Sequence, residues 1–372
     1  MVKKTILSIG IACCALTTYA QSDYQSTILE RISNPLMHQQ LINTNNYQLL
    51  NKLSQNYPKQ NTINVGWLSI FRRYNSGETV QNRTALNTHI NSKTMIFDLD
   101  GDKLLDWSKI NINANNEANF SEAQTTLAIK TQNLGNIHSP VVLMLLSNQH
   151  TVIDYLNNPA ADKLTELGYT VAVMEYPNYG VSLGRGSLQS WLSATRGATL
   201  FLNKLTGKKI TLVGHSVGGP LALHAAASDI MKDRVQSVIS YGGFTDLYEM
   251  SKDQQSNPVL KFFAKPIAFL TVRDHIIDGI GSLNKLAQMK TPVLILHGEH
   301  DGAVTPRHLE MYNNKINSIA AQSKSSVNMK TVLFPGFYHE EVNNFSAAKP
   351  SDFLTVWKTI ETFLKSTLIQ KN

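Results

Sequence analysis

Cysteine is almost missing from this 372-residue chain: there are two, Cys13 and Cys14, side by side near the N-terminus. Past residue 20 there is none, so that part of the chain cannot use a disulfide, a thiolate nucleophile or a cysteine-ligated metal. Concentrated charge of one sign is also lacking. The 34 basic residues against 27 acidic ones leave a formal charge of +7, but they are dispersed. No Lys/Arg cluster interleaved with aromatics occurs, which argues against a nucleic-acid groove. The chain has no internal repeat, and its N-terminal apolar run, residues 5–16, is too short to span a bilayer comfortably.

What is present is an ordinary globular composition, 42% hydrophobic and 16% charged, with enough apolar material for a sizeable core. The first twenty residues stand apart. Lys3 and Lys4 precede the apolar run, and Thr18-Tyr19-Ala20 places small residues where a signal peptidase reads. This pattern predicts a signal peptide over residues 1–20 and an exported, periplasmic or secreted, product. A lipidated Cys13 is disfavoured, because Gly10 stands where the usual leucine would be. Residues 21–92, rich in Asn, Gln, Ser and Thr, carry no motif and are expected to form an N-terminal accessory segment.

From residue 93 to the end the pattern sharpens. Thr94 to Phe97 and Lys103 to Ile110 could pair as a hairpin across Asp100-Gly101. A further strand is expected from Thr125 to Lys130. Short apolar runs follow at 141–146, 170–174, 210–213, 238–241, 293–296 and 332–334, as expected of strands buried on both faces of a parallel sheet. Helical stretches alternate with them, including 160–167, 187–205, 220–231 and 351–369. The predicted fold class is α/β, a mixed but mainly parallel sheet with helices on both faces.

The strongest local signal is Gly214-His215-Ser216-Val217-Gly218, a G-x-S-x-G pentapeptide between an apolar strand and a small-residue helix. That context makes it a nucleophile elbow, in which the sharp turn lifts Ser216 Oγ above the sheet. Side chains two residues to either side would clash, hence the glycines. A serine hydroxyl needs a base that also returns the proton. In the chain order Ser, acid, His, Asp301 follows the strand Val293–Leu296 and His339 lies in the loop after the strand ending at Phe334. Asp246, after the strand ending at Tyr241, is the second candidate acid. Of the other histidines, His215 is held within the elbow, and His297 and His300 flank the acid.

With these residues in view, the segment from about 93 onward resembles the α/β-hydrolase superfamily. It is most similar to small, short-lidded serine hydrolases such as the ABHD13/ABHD17 and BEM46-like enzymes and the serine aminopeptidase-like group. The segments GHSVGG, YPNYGVSLG (Tyr176 to Gly184), PVLILHGEHD and GFYHE carry the likeness. It implies Ser216 as nucleophile, His339 as base and Asp301 as acid, with an oxyanion hole from the N–H groups of Asn148 and Val217. Relatives usually carry a His-Gly pair where this chain has Leu146-Ser147. Ser147 is therefore expected to put a side chain where the backbone turns tightly. Loss of hole geometry costs on the order of a hundred- to a thousand-fold in rate.

The expected activity is that of a serine esterase acting on a small-molecule ester or acyl substrate through an acyl-enzyme, with no metal or organic cofactor. Two alternatives stay open: an amide or peptide hydrolase with the same triad, and a non-catalytic binding protein on a hydrolase fold. The apolar segment Val259 to Leu270 falls where lids are inserted in this fold, and could line an acyl pocket, touch lipid, or simply pack on the core. Asp98, Asp100, Asp102 and Asp106 resemble a calcium loop, although Lys103 stands where glycine is usual. An acidic turn exposed to water is the other reading.

Overall fold

The computed structural model describes residues 94–98, 126–130, 139–148, 150, 152–156, 158–177, 179, 188–253, 281–322, 328–340, 342 and 350–369. The expected leader, accessory segment, lid and the residues from 99 to 125 lie outside these. Eight strands are described: β1 Thr94–Asp98, β2 Thr126–Lys130, β3 Val141–Leu145, β4 Thr170–Met174, β5 Ile210–His215, β6 Val235–Tyr241, β7 Val293–Gly298 and β8 Met329–Phe334. They form one sheet in the order β1-β2-β4-β3-β5-β6-β7-β8. β2 runs antiparallel to both β1 and β4, and the six strands from β4 to β8 are mutually parallel.

Every residue of β3, β4, β5 and β7 is buried. Successive side chains of a strand point to opposite faces, so an unbroken buried run means that helices cover both. The helices are α1 Val152–Leu156, α2 Pro159–Glu166, α3 Leu188–Thr206, α4 Gly218–Ala226, α5 Leu247–Asp253, α6 Ser282–Leu286, α7 Arg307–Gln322 and α8 Pro350–Ile369. In α8, Phe353, Val356, Trp357, Ile360 and Leu364 form the buried stripe, spaced by three and four residues as an amphipathic helix requires. Helix α4 is buried at every position and packs against β5, β6 and β3. None of the described helices is long and apolar enough to cross a membrane.

The α/β-hydrolase fold expected from sequence is therefore present, with differences in detail. The described partner of β1 is β2; the stretch 103–110 expected to pair with it, and the side chains of the suggested calcium loop, lie outside what the structure describes. The expected helix 220–231 is two pieces, α4 and a 3-10 turn Asp229–Met231. Helix α7 packs beside β8 and β7.

The parallel registers bring the carboxyl ends of the strands to one edge. Leu145 of β3 pairs with Gly214 of β5, His215 with Tyr241 of β6, and Tyr241 with Leu296 of β7. Sites in open α/β sheets form at this edge, where the strand order switches direction.

Candidate active site

Ser216 has φ 53°, the one positive φ outside glycine among the described residues. A non-glycine residue in the left-handed region costs on the order of 1–3 kcal/mol and persists only where its surroundings enforce it. Here the enforcement is visible. The Ser216 N–H donates to Tyr241 O at 2.9 Å. A Cβ on Gly214 would lie 2.1 Å from Gly218 O, and one on Gly218 would lie 2.4 Å from Leu145 O. No side chain fits at either position. Helix α4 starts directly after this turn, with Val217 as its first capping residue and no side-chain cap.

Asp301 follows β7 and is 3% exposed. Its Oδ1 accepts from the N–H groups of Ala303 and Val304, at 2.9 and 2.8 Å. Its Oδ2 meets His339 Nδ1 at 2.6 Å and lies 3.3 Å from His297 Nε2. His297 Nε2 also donates to Val304 O at 2.8 Å. Burial, the larger influence, keeps the His297 pKa below its ordinary value, so the ring beside Asp301 is neutral. The carboxylate is thus fixed on one oxygen by main chain and presents the other to His339.

The loop carrying His339 is stitched to its neighbours by main-chain bonds. His300 N–H donates to Phe337 O at 2.7 Å and Glu299 N–H to Phe334 O at 3.0 Å. Tyr241 Oη donates to Tyr338 O at 3.0 Å. Gly242, next to the residue that binds the Ser216 N–H, has φ 58°, and a Cβ there would lie 3.0 Å from His339 Nδ1 and 3.2 Å from Asp301 Oδ2. Ser216, His339 and Asp301 are therefore gathered in one corner at the ends of β5, β6 and β7. A hydrogen bond between His339 Nε2 and Ser216 Oγ is not made in this conformation; such bonds are often long in ligand-free sites and tighten with substrate. Asp246 is not His339's partner here. Its Oδ1 accepts the Glu249 N–H at 2.8 Å, at the start of α5.

The segment after β3 is more built than the sequence suggested. Ser147 does not adopt a positive φ, so no strain attaches to its side chain, contrary to expectation. Instead Ser147 Oγ lies 2.5 Å from His150 Nδ1, and Ser147 N–H donates to Tyr155 Oη at 3.0 Å. Tyr179 Oη donates to Asn148 Oδ1 at 2.6 Å, and Tyr176 Oη to Leu146 O at 2.7 Å. Tyr176 stacks on Trp191, with ring centroids 4.9 Å apart, and Tyr179 meets the same indole edge-on at 5.3 Å. Trp191 Nε1 donates to Pro177 O at 3.1 Å. The Tyr176-Pro177 and Tyr179 positions, noticed in the sequence only as a family likeness, thus hold the Leu146 main chain and the Asn148 side chain. Among the described residues, the N–H groups of Asn148 and Val217 have no hydrogen-bond acceptor, which suits two donors waiting for an anion.

Among the described residues, one group of His and Glu side chains has donor atoms within 4.8 Å of one another, His215, His339 and Glu340. A cation held there would occupy His339 itself. Burial chiefly, and His339 next, hold the His215 pKa well below the ordinary value.

A family model described as the alpha/beta hydrolase fold matches residues 146–265. The chain is similar to a 2,6-dihydropseudooxynicotine hydrolase of Paenarthrobacter nicotinovorans, 30% identical over 117 residues, which is 31% of this chain and 31% of that protein. It is also similar to the alpha/beta hydrolase domain-containing protein WAV2 of Arabidopsis thaliana, 27% identical over 157 residues, 40% of this chain and 49% of that one. The chain thus spans about a third to a half of the curated relatives it matches. Among solved structures, Est1E from Butyrivibrio proteoclasticus with ferulic acid bound overlaps 66% of this chain and 96% of its own, at 18% identity and TM-score 0.48. The Pyrococcus furiosus esterase Pf2001 overlaps 65% of this chain and 85% of its own, at 17% and 0.47.

Proposed function

We propose that the chain is a member of the α/β-hydrolase superfamily, supported by its likeness to the family model over residues 146–265, and that it is a serine hydrolase cleaving carboxylic esters of small molecules. The observation that carries this reading is a serine held at φ 53° beside a histidine whose Nδ1 is 2.6 Å from a buried carboxylate.

In the proposed reaction His339 Nε2 takes the Ser216 proton as Oγ attacks the acyl carbonyl. Asp301 holds Nδ1–H toward itself and stabilises the imidazolium. The oxyanion is met by the Val217 and Asn148 N–H groups. His339 then returns the proton to the departing alkoxide, leaving the acyl group on Ser216. Water, deprotonated by the same ring, attacks the ester. The acid leaves and Ser216 regains its proton. Apart from the substrate and this water, every group the steps use belongs to the chain.

The test is a panel of p-nitrophenyl esters and aminoacyl anilides on wild type and Ser216→Ala. Ester turnover abolished by the substitution is the expected result, and turnover surviving it would remove Ser216 from the mechanism. Anilide turnover without ester turnover would move the reading to an amide or peptide hydrolase, which uses the same tetrahedral chemistry. We further propose export through the leader at residues 1–20, checked by the mass of the mature N-terminus, expected to begin at Gln21.

A further inference from the structure

Among the buried rings that the mechanism above leaves unused is His215, the residue before the nucleophile. It is 3% exposed and touches both halves of the site. Its Nε2 lies 2.8 Å from His339 O, a carbonyl, so this nitrogen must carry the proton. A neutral ring with Nε2–H has a bare Nδ1, which can only accept. Tyr155 Oη stands 3.3 Å away and is 1% exposed. The Tyr155 O–H therefore donates to Nδ1, and the same oxygen accepts the Ser147 N–H at 3.0 Å. The donors and acceptors therefore fit in one direction only: Ser147 N–H to Tyr155, Tyr155 to His215, His215 to His339 O.

We propose that His215 is a positioning residue that sets the oxyanion loop at Ser147-Asn148 and the loop of the base His339 relative to each other through this single chain of hydrogen bonds. This rests on the serine-hydrolase reading. The packing supports it. The His215 ring lies 4.8 Å from that of His339 and 5.9 Å from that of Tyr241, whose hydroxyl holds the adjacent Tyr338 O. Burial and the nearby His339 both disfavour a second proton on His215, so the tautomer is kept. Glu340 Oε2, 4.0 Å from Nδ1, is the nearby acid that could compete for it. Unlike a packing residue, His215 would fix where the base stands when the hole is filled. Its loss should lower kcat rather than raise KM.

The experiment compares His215→Leu, His215→Gln, Tyr155→Phe and the double variant Tyr155→Phe/His215→Leu. Rates are divided by the number of active sites titrated with a fluorophosphonate, so that partly unfolded protein does not count. The expected result is a fall in kcat of roughly tenfold to a hundredfold for His215→Leu with KM changed less than about twofold. Tyr155→Phe should cost about fivefold, and the double variant no more than His215→Leu, since both cut one chain. His215→Gln, whose amide N–H can still reach His339 O, should recover most of the loss.

Additive effects, or a kcat per titrated site equal to wild type, would overturn the proposal. A second readout does not depend on turnover: 15N resonances of labelled histidines. His215 should show a protonated Nε2 and a bare Nδ1, and Tyr155→Phe should move the His339 resonances. A His215 protonated on Nδ1, or a His339 signal indifferent to Tyr155, would refute the chain. Failure of wild type to label on Ser216 would instead overturn the hydrolase reading, leaving the resonances to decide on His215.

Discussion

Replacing Asp301 by Asn is the most discriminating single substitution at this site, because the structure dictates how the amide must sit. Asp301 Oδ1 accepts two main-chain N–H groups, from Ala303 and Val304. The asparagine oxygen will take that place, since turning the amide over would set NH2 against two donors. Its NH2 then occupies the Oδ2 position, facing the nitrogens of His339 and His297. His339 can escape the clash by shedding Nδ1–H and accepting from the amide. Its proton then sits on Nε2, aimed at Ser216, and the ring can no longer act as a base. A wrong tautomer of this kind costs about 10⁴ in kcat, or about 5.5 kcal/mol of barrier. The fold should survive, because both Oδ1 bonds remain. The assay is kcat/KM on a p-nitrophenyl ester with active sites counted by titration, alongside a thermal melt. A loss below about tenfold would refute the reasoning. So would Asp246→Asn matching Asp301→Asn, since His339 is bonded to Asp301 and not to Asp246.

Three further outcomes are expected. Tyr179→Phe removes the bond to Asn148 Oδ1 and should lower kcat by about fivefold, the worth of roughly one net hydrogen bond; steady-state kinetics with a larger change in KM than in kcat would contradict this. Burial pushes the His308 pKa from 6.5 down to about 4 and that of His224 to about 3, so both rings are neutral in the fold. The unfolded chain binds their protons more readily; stability is therefore full above about pH 6.5 and drains as pH falls toward 4. His308 accounts for on the order of 3 kcal/mol of that loss. Denaturant midpoints from pH 7 to 4.5 should fall steeply in wild type and less so in His308→Gln, and parallel slopes would count against it. Prolonged treatment with EDTA should leave ester turnover unchanged; activity lost on chelation and restored by a divalent ion would require a metal that the mechanism does not use.

Much of the sheet was legible because parallel strands buried on both faces are mostly apolar. The runs 141–146, 210–213 and 293–296 announce β3, β5 and β7 in this way, each strand ending within two residues of the run. Helix α7 was not singled out, and its composition explains why. Only His308, Leu309, Tyr312 and Ile316 are buried, in a run that also carries three Asn and a Ser, so the apolar stripe is narrow and stands out little from its surroundings. The pairing of β1 with β2 is long-range, and no local turn signal announces it, because β2 begins only at Thr126.

The site divides along the same line. The proposed triad, Ser216, Asp301 and His339, was open to sequence reading because each proposed act falls to a side chain of a particular type, and type is what a sequence prints. The proposed oxyanion loop would act through main-chain N–H groups, which every residue but proline possesses, so identity at Ser147 and Asn148 says little about competence. Sequence reasoning therefore took Ser147 as a defect. In the fold, Tyr176 and Tyr155 hold that main chain at Leu146 O and Ser147 N–H, and Tyr179 holds the Asn148 side chain. The glycine of the relatives supplies conformational freedom; a serine at a negative φ needs none, provided its neighbours fix the turn. That shifts the expected point of failure. If the hole is weak, repairing it with Ser147→Gly should not raise kcat, because the change frees the loop and leaves its anchors as they are. A gain of about tenfold or more per titrated site in Ser147→Gly would show that the side chain was the obstacle after all.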